Sequence, residues 1–435
     1  MLTVTLRGAA RLLGALLFIQ PLALLAQTVA LTGATLIPVT GPTIENGVLI
    51  INDGKIAGIG SAEDTRLPEG ARVIELEGHT LMPGIVDTHS HLGVAGDHNE
   101  GSSAVTPQVR VLDSFWAADP RIKVARTGGI TTANVMPGSG NVISGQTIYI
   151  KLRDGGVEDM LVEGSIGGMK MANGENPKGS DNRPGPNTRM TSAAMARQAF
   201  YDARHYHQQQ DAARRDRKID APAYNLGHEA LLEVLDGKRV VHHHTHRTDD
   251  IMTVLRLQKE FGFRLVLQHG LEAYKVAEEL ARDPKLNLSY LTLDSPGGKH
   301  EAFDVLLGGA AKLEAAGLDI ALHSDDWVID SRFLLRSAAL SVRGGMSREA
   351  ALRALTINPA RMMDLGDRIG SLEVGKDADL VVLDGDPFSV YTRVQQTWID
   401  GQMMYNRADP RQRLYATGGH QVADRHPALS QEGAQ

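Results

Sequence analysis

Over residues 29–82 the apolar positions come in short runs of strand length, separated by turn residues. Residues 47–51 and 55–59 flank Asn52-Asp53-Gly54, a sequence that favours successive positive φ angles and predicts a hairpin. Residues 73–76 and 80–82 are further predicted strands. The same pattern returns near the other end of the chain. Residues 379–384 and 394–399 read as strands, and Asp400-Gly401 turns the chain into 403–405. Chain ends often lie close together. Residues 27–82 and 365–406 are therefore expected to build one small β-sandwich domain.

Between these segments, over residues 83–364, apolar strand-like runs alternate with helical periodicity. Runs fall at 130–135, 160–162, 240–241, 264–267, 288–293 and 318–322; helical patterns fall at 250–260 and 274–282. Ser347 is a predicted N-cap, with Glu349 in the first turn of a helix that reaches Leu355. Alternating β and α elements imply a parallel sheet. With roughly 280 residues available, an α/β architecture of the (β/α)8 TIM-barrel type fits better than an open sheet. Residues 174–227 interrupt the alternation. A Gly-, Asn- and Pro-rich stretch leads into a polar helix, capped by Thr191 and running to about residue 217, expected to lie over the barrel mouth. Residues 407–435 form a polar tail expected to be mobile.

The chain has 435 residues, 42% of them hydrophobic, enough for a large domain and a smaller one. Residues 1–26 read as a secretory signal: Arg7 and Arg11 precede an apolar stretch broken by Gln20 and Pro21. This implies a secreted, periplasmic protein with no stable membrane insertion after cleavage. Losing the two arginines takes the net charge from −7 to −9, and an acidic surface argues against nucleic acid as a partner. There is no cysteine. Any bound metal must be held by nitrogen and oxygen, which favours zinc as the expected divalent ion.

Candidate chemistry gathers at predicted strand ends, where a barrel carries its functional side chains. Asp87-Thr88-His89-Ser90-His91 follows the apolar run 81–86, and the two histidines share one face of an extended segment. Such a pair also arises by chance in a chain with 16 histidines. Three more strand ends strengthen the metal reading: His242-His243-His244-Thr245-His246, Gln268-His269-Gly270 and His323-Ser324-Asp325-Asp326. Alternation sets His242, His244 and His246 on one face and His243 on the other.

These motifs resemble the amidohydrolase superfamily of metal-dependent hydrolases, near its imidazolonepropionase-like and metallo-dipeptidase branch. The resemblance extends to residues 81–91 at the front, and to Thr356-Ile357-Asn358-Pro359-Ala360 and residues 370–380 at the back. It implies that His89 and His91 bind the more buried metal. It implies that His244 and His269 bind a second metal, or share the first in a one-metal form. Asp325 would be both ligand and general base and acid, with its neighbour Asp326 the less favoured choice. His246 would contact the developing oxyanion or the substrate, or with His242 merely lie near the metal. Two-metal members bridge their ions with a carboxylated lysine or a glutamate. Lys170, in Gly167-Gly168-Met169-Lys170, is the favoured bridge as N6-carboxylysine, and Glu175 the alternative. The Gly-rich loop 138–146 shapes the substrate site or is ordinary turn.

The leading expectation is hydrolysis of an amide-type C–N bond, in a dipeptide, an N-acyl amino acid or a cyclic amide, by metal-activated hydroxide with Asp325 as base. A one-metal deaminase of a heterocyclic amine is the alternative. Deaminases of the superfamily usually carry His-x-x-Glu after the middle strand, where this chain has His244-Thr245-His246-Arg247, and His246-Arg247-Thr248-Asp249 offers only aspartate. A periplasmic metal-binding protein is the non-enzymatic alternative. The expected partner is a small-molecule substrate, with a homo-oligomer left open.

Overall fold

The structure, a computed structural model, describes residues 28–179, 185–293, 299–326 and 328–418. The expected signal segment and the end of the tail lie outside the described residues. The chain opens with β1 (Val29–Leu36), β2 (Ile44–Asn52), β3 (Lys55–Ser61), β4 (Arg72–Glu75) and β5 (Thr80–Pro83). The central part contributes β6 (Ile85–Ser90), β7 (Ile130–Val135), β8 (Ile143–Gln146), β9 (Ile148–Lys151) and β10 (Met169–Ala172). It continues with β11 (Val241–Thr245), β12 (Leu265–His269), β13 (Asn287–Tyr290) and β14 (Ile320–Leu322). The last strands are β15 (Leu380–Leu383), β16 (Val394–Ile399) and β17 (Gln402–Asn406).

Both chain ends share one eight-stranded sheet, in the order β17-β16-β15-β5-β1-β2-β3, with β4 pairing β1. The two ends meet where β5 runs antiparallel to β15, Leu81 opposite Val382. Leu31, Leu36, Leu49, Leu81, Leu380 and Trp398 pack in its core. The β2–β3 hairpin turns at Asp53 (φ 48°) and Gly54 (φ 73°), the positive pair that its sequence favours.

The central strands form two arcs. One is β6-β7-β9; the other is β14-β13-β12-β11-β10-β8, in which β10 to β14 run parallel. A parallel bridge between Ser90 and Asp326 links the end of β6 to the residues after β14. Every residue of β6, β7, β10, β11, β12 and β14 is buried, as expected of parallel strands covered on both faces. Parallel register also brings the strand ends level: Ala172, His244, Gln268, Ser289 and Ala321 stand side by side.

Several local expectations change. Residues 160–162 are not a strand. Gly156 N–H donates to the Asp159 carboxylate (2.8 Å), which starts the short helix Val157–Met160, and Leu161 makes only an isolated bridge to Ile150. Strand β8 forms inside the Gly-rich loop and pairs antiparallel with β10. The helix expected at 274–282 splits into a 3-10 turn, Ala273–Val276, and Ala277–Leu280. The long helix is Arg189–Arg215, capped by Thr188, whose side chain accepts from the Thr191 N–H. Its Phe200 ring lies 4.9 Å and 5.4 Å from Phe261 and Phe263. It is thus anchored along the helix Thr248–Phe261. The polar tail carries a helix, Pro410–Thr417, started by the Asp409 cap and a proline in its first turn. Ser347 does cap Arg348–Leu355. Among the described residues, no helix is long and apolar enough to cross a membrane.

Candidate metal centre

The extended backbone of β6 carries His89 and ends one residue before His91, and both imidazoles turn toward Asp325. His91 Nε2 lies 3.2 Å, and His89 Nε2 3.3 Å, from Asp325 Oδ1; His269 Nδ1 lies 3.8 Å from Oδ2. Asp325 is fixed from below. Its N–H donates to the His89 carbonyl (3.0 Å), and the buried Asp87 carboxylate accepts from the His89 N–H (3.2 Å), the Ser324 N–H (3.2 Å) and the Ser324 hydroxyl. Asp87 therefore ties the two strand ends that carry the ligands, and burial pushes its carboxyl up to about 7. His269 (φ 73°) and Asp325 (φ 50°) both sit in the left-handed region that side chains other than glycine's rarely adopt. Such strain marks positions where geometry is held for a purpose.

A hydrogen-bond chain sets the tautomer of His89. Gln268 Nε2 donates to the Thr88 carbonyl (3.5 Å) and to His242 Nδ1 (3.0 Å), and His242 Nε2–H donates to the Tyr149 hydroxyl oxygen (3.0 Å). That orientation leaves Gln268 Oε1 to accept from His89 Nδ1–H (3.2 Å). Likewise His91 Nδ1–H donates to the Met136 carbonyl (2.9 Å). His89 Nε2 then presents a lone pair to a carboxylate oxygen with no proton between them. A divalent cation resolves that repulsion, and partners of this kind orient metal-ligating histidines.

The centre extends through a contiguous set of imidazoles. Ring centroids lie 4.6 Å apart for His89 and His269, for His244 and His269, and for His244 and His246. His244 Nδ1 and Nε2, His246 Nδ1 and His269 Nε2 are buried with no hydrogen-bond partner among the described residues. Unsatisfied buried nitrogens cost free energy unless a ligand meets them. Burial holds His89, His244, His246 and His269 far below the usual histidine range, so they are neutral and offer lone pairs. Burial also works to raise Asp325, but hydrogen bonding and charge from His91, with His323 and Lys170, hold it below the ordinary carboxylate value. The donor set fits a divalent cation: each ligand atom of His89, His91 and Asp325 lies within 4.8 Å of the others.

Lys170 is fully buried on β10, its Nζ 3.0 Å from His89 Nε2 and 3.2 Å from Met136 Sδ. Burial lowers its amine to about 7, so much of it is uncharged near neutrality. Glu175 is less buried, and its backbone N–H donates to Glu301 (2.5 Å). The structure thus sets Lys170 against the first group of ligands, while Glu175 belongs to no metal-competent group among the described residues. Asp326 accepts from the Ser331 N–H (3.3 Å) and lies 4.0 Å from Arg121, turned to other partners than the imidazoles. His243 points away, lining a cavity of about 390 Å³ with Arg189 and Asp250 on the far side of β11.

Three residues assigned no role from sequence belong to this neighbourhood. His323 Nε2 meets His269 Nδ1 at 3.0 Å, and its Nδ1 meets the Ser289 hydroxyl at 2.7 Å. Gln268 sets the His89 tautomer. Glu301 lies beside His244 and His246. The first two stand inside or next to motifs already singled out; Glu301 follows β13 in a stretch with no pattern of its own.

The chain belongs to the amidohydrolase family, whose sequence pattern matches residues 80–404. It is similar to a crystal structure of an amidohydrolase from Thermotoga maritima, at 38% identity and a TM-score of 0.82, covering 87% of this chain and 100% of that one. It is 30% identical over 396 residues to amidohydrolase tasK of Hapsidospora irregularis, 83% of this chain but only 39% of that longer protein. It is 24% identical over 398 residues to the 5-methylthioadenosine/S-adenosylhomocysteine deaminase of Symbiobacterium thermophilum, covering 83% of this chain and 86% of that one.

Proposed function

We propose that the protein is a divalent-metal-dependent enzyme that hydrolyses an amide-type C–N bond in a small molecule: a dipeptide, an N-acyl amino acid or a cyclic amide. The convergence of His89, His91 and His269 on Asp325 carries this reading. Family membership and the amidohydrolase names of its relatives support it. The fold that goes with it is a TIM-type barrel closed through the Ser90–Asp326 bridge, beside a β-sandwich built from residues 27–82 and 365–406.

His89, His91 and Asp325 would hold the cation, zinc in this reading, with His269 beside them. Such a cation supplies Lewis acidity, making water more acidic and polarising a carbonyl oxygen. Asp325, kept ionised, accepts the proton of the attacking water and returns it to the departing nitrogen. In this reading His246, unless it is itself a ligand, would meet negative charge developing on the substrate oxygen. Lys170, in preference to Glu175, is the residue to carry carbon dioxide as a carbamate, because its amine is buried, largely neutral near pH 7 and against His89. Residues 1–26 assign the enzyme to the periplasm in this reading.

The likeness to a deaminase favours a second reading, in which ammonia leaves a heterocycle. Against it, neither His244-Thr245-His246-Arg247 nor His246-Arg247-Thr248-Asp249 carries the glutamate expected there. Asp325→Asn tests the mechanism against a panel of dipeptides, N-acyl amino acids, cyclic amides and aminated heterocycles. Turnover should fall about 10³-fold while the melting temperature stays within a few degrees. Retained turnover would remove Asp325 from the chemistry, and ammonia from a heterocycle alone would transfer the protein to the deaminases.

A further inference from the structure

Glu301 is the least expected group near the imidazoles. It is buried, and among the described residues only one of its oxygens accepts a hydrogen bond. Oε1 accepts from the Glu175 N–H (2.5 Å) and from Arg189 Nη2 (2.8 Å). Gly174 makes room for that approach: its φ is +78°, and a Cβ there would stand 2.3 Å from Glu301 Oε1. Arg189 is itself braced by Asp250 through its Nε (2.9 Å). Oε2 has no hydrogen-bond partner among the described residues, with Lys299 Nζ 4.0 Å away and engaged at 3.0 Å by Asn176.

One ligand atom from each of Glu301, His244 and His246 lies within 4.8 Å of those of the other two, and all three residues are buried. Four polar atoms of this trio have no hydrogen-bond partner among the described residues: His244 Nδ1 and Nε2, His246 Nδ1 and Glu301 Oε2. Two neutral imidazoles and one carboxylate with an oxygen to spare make a donor set for zinc or a similar divalent ion. The anchoring of Oε1 resembles the support that outer partners give to a ligating carboxylate.

We propose that His244, His246 and Glu301 form a second divalent-cation site, in which Glu301 supplies the carboxylate. The inference rests on the metal-dependent reading above and extends it. It makes His246 a ligand, and it requires no carbamate: a Lys170 carbamate would serve the cation of His89, His91 and Asp325, whereas this site is complete in unmodified side chains.

The test is cation content and affinity of the full chain, stripped with a chelator and titrated with Zn²⁺ or Co²⁺ in bicarbonate-free buffer. Glu301→Gln, which keeps the shape, and His246→Asn should each bind one cation fewer per chain than the unaltered protein, or bind it at least tenfold more weakly. His91→Asn should lose a different cation and retain this one. With Co²⁺, the visible spectrum of Glu301→Gln should lack one component of the unaltered protein's spectrum. A full complement at unaltered affinity in Glu301→Gln overturns the proposal. So does a second cation that appears only with bicarbonate and disappears in Lys170→Met. Either result would leave the hydrolase reading standing, whereas an unaltered protein that binds no cation would end both.

Discussion

Two buried polar clusters in this molecule use their charges in opposite ways. Where β9 meets the terminal sheet, Lys151 is almost wholly buried and donates to Asp377 (2.8 Å), Asp379 (3.1 Å) and Asp400. Asp377 also engages Lys55 and Arg368, and Asp400 engages Arg153. Among the described residues of this cluster, only Asp379 Oδ2 is left over. In the imidazole cluster the reverse holds: His244, His246, His269 and Glu301 all keep buried atoms with no hydrogen-bond partner among the described residues. The first cluster is closed and welds the central strands to both chain ends. The second is open, and openness at that desolvation cost is what a ligand site requires. Burial and charge alone would not have separated them; the accounting of partners does.

Removing the hub of the closed cluster should have the largest effect. Lys151→Met leaves three carboxylates facing one another and should lower unfolding free energy by ~3–5 kcal/mol in urea titration. The protein that remains folded should keep its cation content. Loss of cations at unchanged stability would reverse the assignment of the two clusters.

Gln268→Leu probes the open cluster without touching a ligand. It removes the acceptor that fixes the His89 Nδ1–H, and should weaken cation binding ~10–100-fold. A stability loss with unchanged cation affinity would reduce Gln268 to a packing residue.

Protonating Asp377 in the closed cluster should produce the smallest effect. Burial works to raise Asp377, but Lys151 and Lys55 hold it below its ordinary value of 3.8. Between its folded value and 3.8 the unfolded chain binds the additional proton, so this stabilisation is complete above 3.8 and fades as pH falls through the lower, folded value. Asp377→Asn should flatten that part of the stability–pH curve. An unchanged slope would show that the pair contributes nothing by charge.

Much of the local framework was legible. The Asn52-Asp53-Gly54 hairpin, the Ser347 cap and most central strands follow from periodicity and turn chemistry, which act over a few residues. The failures were also local competitions. Asp159 won residues 157–160 for a helix, and Thr188 outcompeted Thr191 as a cap because its extended backbone lets its side chain accept the Thr191 N–H. His89, His91, His244, His269 and Asp325 stood out because each ends or follows an apolar run in a pattern suited to metal chemistry.

By itself, then, the sequence determined which residue types stand at which strand ends, since alternation and strand length are properties of the local chain. Only the tertiary structure decided which of them meet. Asp87 binding Ser324, Gln268 choosing the tautomer of His89, and Glu301 coming to His244 from a patternless segment are contacts across many residues. Their positions follow from parallel register and packing, which no local stretch of the chain encodes.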